Sequence, residues 1–62
     1  MNKMQAKEVA KLIMAHKLGM PKDYIARSLS ALIRASMTAR ARVAMLEYAT
    51  DLGVREHPEF IV

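Results

Sequence analysis

The stretch Ala15–Leu29, AHKLGMPKDYIARSL, decides how this 62-residue chain folds. A helical pattern runs into Leu18, breaks over Gly19, Met20 and Pro21, and then resumes. Glycine accepts the left-handed backbone that ends a helix. Proline suits the first turn of the next helix, where its missing N–H costs nothing. Asp23 in that turn complements the helix dipole. The spacing predicts two short helices meeting at a steep angle. Such a corner either presents its second helix to a ligand or merely closes a small bundle, and the residues alone leave both readings open.

Outward from the corner, the chain reads as all-α, with helices over about residues 3–18, 21–35 and 37–52 and an extended C-terminal tail. The second helix is the cleanest amphipathic element. At 100° per residue Ile25, Leu29, Leu32, Ile33 and Ser36 share one face, and Asp23, Arg27, Ser30 and Arg34 share the opposite one. Ser36 or Thr38 supplies the cap of the third helix. Gly53 stops it, with Val54 placed for the apolar contact that follows such a stop. This helix has a narrow polar stripe of Arg40, Ala44, Glu47 and Asp51, and is otherwise apolar around most of its surface. Pro58 breaks any fourth helix in the tail, residues 54–62, whose Phe60, Ile61 and Val62 are strand-formers expected to dock on the core or on a partner.

Composition limits the options. Sixty-two residues make a single domain, 1–62, and a domain of that size buries only about 60% of its unfolded surface. No cysteine is present to staple it or to bind a metal through sulfur. With 53% apolar residues, sharing a core with a second copy is the expected route to stability. A helical homodimer is therefore expected, with Met45, Tyr48, Leu52, Phe60, Ile61 and Val62 at its seam. MNKMQAKE lacks the apolar run of a secretory signal, and no segment approaches the ~20 apolar residues of a membrane span, so a cytoplasmic protein is expected. The net charge of +4 is uneven: residues 1–35 carry +5 and residues 36–62 carry −1. A basic front half suits contact with a polyanion, although lysines also simply solubilise an apolar helix.

From Lys11 to Ser30 the chain resembles the helix-turn-helix of the phage repressor and Cro family. The residues that carry the resemblance are Met14 and Ala15 in the first helix, Leu18-Gly19-Met20 at the turn, and Ile25 and Leu29 in the second. Three features depart from the family's pattern: Lys11 stands where glutamine is common, Pro21 where a Ser or Thr cap is usual, and Leu12 and Ile13 would point outward if Met14 and Leu18 point in. The resemblance implies a small sequence-specific regulator, such as a repressor, that binds double-stranded DNA. Its recognition helix would cover about residues 21–35. Lys17, Lys22, Asp23, Tyr24, Arg27, Ser28 and Arg34 would then approach the duplex, with Arg27 suited to guanine and the lysines to phosphates. The alternative is a small helical module that binds and inhibits or adapts a larger protein, for which six methionines offer an adaptable surface.

Catalytic chemistry finds little support in the sequence. Ser28, Ser30 and Ser36 lack a nearby base, so none reads as a nucleophile. His16 reads as a half-buried helix residue, and His57 with Glu56 and Glu59 as a solvated acidic turn. Two histidines so far apart give no metal set. Glu47 and Asp51 read as solvated carboxylates, and no glycine-rich phosphate loop exists. Neither an enzyme, a cofactor nor a metal is expected.

Overall fold

The computed structural model describes residues 2–60. Three α-helices follow one another, α1 (Lys3–Lys17), α2 (Lys22–Arg34) and α3 (Ala39–Asp51), and a 3-10 turn, η1 (Pro58–Phe60), ends the described chain. The all-α class and the order of helices agree with the sequence pattern. No helix among the described residues is long and apolar enough to cross a membrane.

Local chemistry sets the boundaries. Asn2 opens α1 with a capping box, its Oδ1 accepting from Gln5 N at 2.8 Å while Gln5 Oε1 accepts from Asn2 N at 3.3 Å. Thr38, rather than Ser36, caps α3, its Oγ1 accepting from Ala41 N at 3.1 Å. Pro21 precedes α2 with no side-chain cap. Gly19 and Gly53 carry positive φ, 83° and 74°. Each closes a paired C-terminal motif: Met20 N donates to Ala15 O and Gly19 N to His16 O, and Val54 N donates to Ala49 O and Gly53 N to Thr50 O. Val54 is buried, as the apolar partner of such a stop should be.

These stops fold the helices back on one another. Gln5 near the start of α1 reaches Ser36 beyond the end of α2, Nε2 to Oγ at 3.5 Å. At ~1.5 Å of rise per residue both points lie about 20 Å from the α1–α2 turn, so the two helices run antiparallel rather than at a steep angle. Lys22 at the start of α2 likewise lies beside Gly53 at the end of α3. The result is a slab of 29 × 26 × 16 Å with α2 at its centre, packed by α1, α3 and η1. Ile25, Ala26 and Leu29 of α2 are wholly buried, against Val9 and Leu12 of α1 and Ala41, Met45 and Ala49 of α3. The buried alanines let the helix axes approach closely.

Four expectations change in this packing. Met45, Leu52 and Phe60, assigned to a seam between copies, are interior residues of the single chain. Of that set Tyr48 is half-buried, and Ile61 and Val62 lie outside the described residues; on α3 itself Ala41, Met45 and Ala49 are buried while Val43 stays exposed. As far as Phe60, the tail is not extended. It turns at Arg55–Glu56 and enters η1, held by Arg55 Nη1 donating to Phe60 O at 2.9 Å, with Phe60 N donating to His57 O. His57 is no solvated turn residue, since its Nε2 lies 3.2 Å from Asp23 Oδ1 and its Nδ1 accepts from Glu59 N. Ser30, on the supposed outward face, is buried because η1 packs along that flank of α2.

Two substitutions test this architecture. A Cβ at Gly19 would meet no atom within 4 Å, so Gly19→Ala isolates backbone strain and should cost about 1 kcal/mol in denaturant unfolding. Phe60→Ala removes the tail's anchor from the core and should cost about 3 kcal/mol, whereas a loose tail would leave the melting curve unchanged.

Candidate nucleic-acid interface

The residues assigned to DNA contact fall in two places. Lys17 ends α1 and Lys22 begins α2, both exposed on either side of the turn. The Lys22 ammonium lies 3.9 Å from where a Cβ on Gly53 would stand, and so faces the negative end of the α3 dipole. Asp23, Tyr24, Arg27 and Arg34 are exposed along α2, and Ser28 is half-buried among them.

The charges along α2 are largely matched by carboxylates. Arg27 Nε lies 3.2 Å from the Asp23 carboxylate, which also meets His57. Arg34 Nη1 stands 3.9 Å from Glu59 Oε2 of η1. Such exposed pairs contribute about 0–1 kcal/mol each, so they do not lock the arginines in place. They do bring the net charge of this strip close to zero. The tail also stands beside the strip and narrows the approach to it.

The core register of α1 also differs from that of the family motif. Val9 and Leu12 point inward and Ile13 is half-buried, while Met14 is 56% exposed and Leu18 77% exposed. The motif needs Met14 and Leu18 inside, holding the second helix at its corner. Here they face water, together with part of Met20 and Tyr24.

The concentrated positive charge lies elsewhere. Lys3, Lys7 and Lys11 recur every four residues on the outward face of α1, with Lys17 nearby, and all four are exposed. Glu8 is the one acid of this helix, bound to Lys11 at 3.2 Å. Because α1 packs chiefly on α2, its other side stays open along its length. Lys3, Lys7 and Lys11 were missing from the sequence-derived set. Their spacing was legible, but without knowing which face of α1 is inside it could not be assigned to the surface.

Neither protein-family models, curated proteins nor solved structures give a match to this chain.

Proposed function

We propose that the chain is a small binding module that holds double-stranded DNA by its phosphate backbone, through the lysine face of α1. One observation carries this reading: four exposed lysines on one helix, with a single acid among them. From Lys3 to Lys17 the helix spans about 21 Å, and a DNA strand carries one charge every ~3.4 Å of axis, so the row runs beside roughly six phosphates. Long flexible ammonium side chains suit phosphate contact, which positions a protein without reading sequence. Base reading from α2 has weaker support, because its arginines face carboxylates and η1 crowds the approach. Regulation of a nearby gene by occupying its DNA is the biological use consistent with such a module. A homodimer would double the lysine row, and the exposed Met37 and Val43 are apolar side chains free to join two copies.

A second reading is favoured by the exposed Met14, Leu18, Met20 and Tyr24 around the α1–α2 turn. Apolar side chains gathered at one end of a small domain suit a protein partner.

Titration of a DNA duplex across salt separates the two. Affinity should fall with a slope of about −3.6 in log K against log salt, and replacing Lys3, Lys7 and Lys17 by glutamine should reduce that slope by about 2.7. Arg27→Ala should change it by about one at most. A parent protein that leaves duplex DNA free at low salt, or a triple variant with the parent's slope, would overturn the DNA reading and put the protein partner first.

A further inference from the structure

A cavity of about 340 Å³ opens between α2, α3 and η1, on the flank of α2 away from α1. Its walls are apolar, formed by Ile33, Leu46 and Phe60, and its volume falls in the range of small-molecule sites. Three features distinguish it from a packing gap.

The first is Ser30, which lines the cavity and is only 5% exposed. A serine inside a helix commonly returns its hydroxyl to the carbonyl four residues back. Ser36 does so to Leu32 O at 2.9 Å, and Thr50 to Leu46 O at 3.3 Å. The Ser30 hydroxyl makes no hydrogen bond to any described residue and keeps an opening to the cavity. Open to the cavity, that hydroxyl is free to bond water or a ligand atom.

The second is the pair of guanidinium groups lining the same space, Arg34 and Arg55. Arg55 spends one N–H on Phe60 O, and Arg34 stands 3.9 Å from Glu59, too far for a hydrogen bond. With five N–H donors on each group, both keep most of theirs free. The third is the balance of charge: two cations against Glu59 favour an anionic ligand.

We propose that this cavity binds a small carboxylic acid with a flat apolar body and a second polar group, the carboxylate on Arg34 and Arg55 and the polar group on Ser30. The planar guanidinium matches a carboxylate with two parallel N–H bonds, and the apolar walls receive the body between the two ends. This site is separate from the lysine face of α1 and does not depend on DNA binding.

The probe is 4-hydroxyphenylacetate, titrated into the full chain and followed by amide NMR shifts. Saturable shifts are expected at Ser30, Ile33, Leu46 and Phe60. The neutral methyl ester should bind about tenfold more weakly, as should the acid to Arg34→Gln, whose exposed side chain is dispensable for folding. Ser30→Ala should abolish the preference, about fivefold, for this acid over phenylacetate. Absence of saturable shifts at millimolar acid, equal binding of acid and ester, or shifts centred on the α1 lysines would each overturn the proposal.

Discussion

Ile25 and Leu29 stand one turn apart on α2, and neither keeps contact with water. Burying each stabilises the fold by about 1.5–3 kcal/mol, which is large for a chain of this size. No single neighbour covers that stripe. α1 brings Val9 and Leu12 to one side, α3 brings Met45 and Ala49 to the other, and Phe60 arrives on η1 to close the remaining flank. The tail is therefore part of the core. Its docking brings Glu59 to Arg34 and His57 to Asp23, and it sinks Ser30 below the surface.

That arrangement also decides where charge is displayed. A central helix covered from three directions has only a narrow outward strip, and on α2 the arginines of that strip stand beside carboxylates. A peripheral helix covered mainly from one direction keeps a broad face, and on α1 that face holds lysines, Met14 and Leu18. The broad uncovered face thus lies on α1, not on α2, where the turn motif would put the contact surface.

The sequence made the helices legible because their ends rest on local chemistry. Gly19, Gly53 and Thr38 act within a few residues of themselves, and α2 has one apolar face, so its inward side was unambiguous. α1 was not readable in this way. It has apolar residues on opposite sides, Val9 and Leu12 against Met14 and Leu18, and only the direction of α2 chooses between them. Met45, Leu52 and Phe60 were misassigned because the third helix read as more apolar than its neighbours could cover, whereas the single chain buries all three. Ser30 and the cavity beside it lie where residues far apart in sequence meet, which helical periodicity does not report. The likeness over Lys11–Ser30 rested on residue types at a turn, and an antiparallel pair of helices satisfies the same turn.

Native-state hydrogen exchange tests the central place of α2 most directly. The amides of Leu29, Ser30 and Ile33 should exchange only through global unfolding, with a protection free energy equal to that from denaturant melts, while Met14 and Lys17 near the end of α1 exchange through smaller openings. If α1 amides outlast those of α2, or if α2 opens while α1 and α3 stay protected, the fold does not depend on the Ile25–Leu29 stripe.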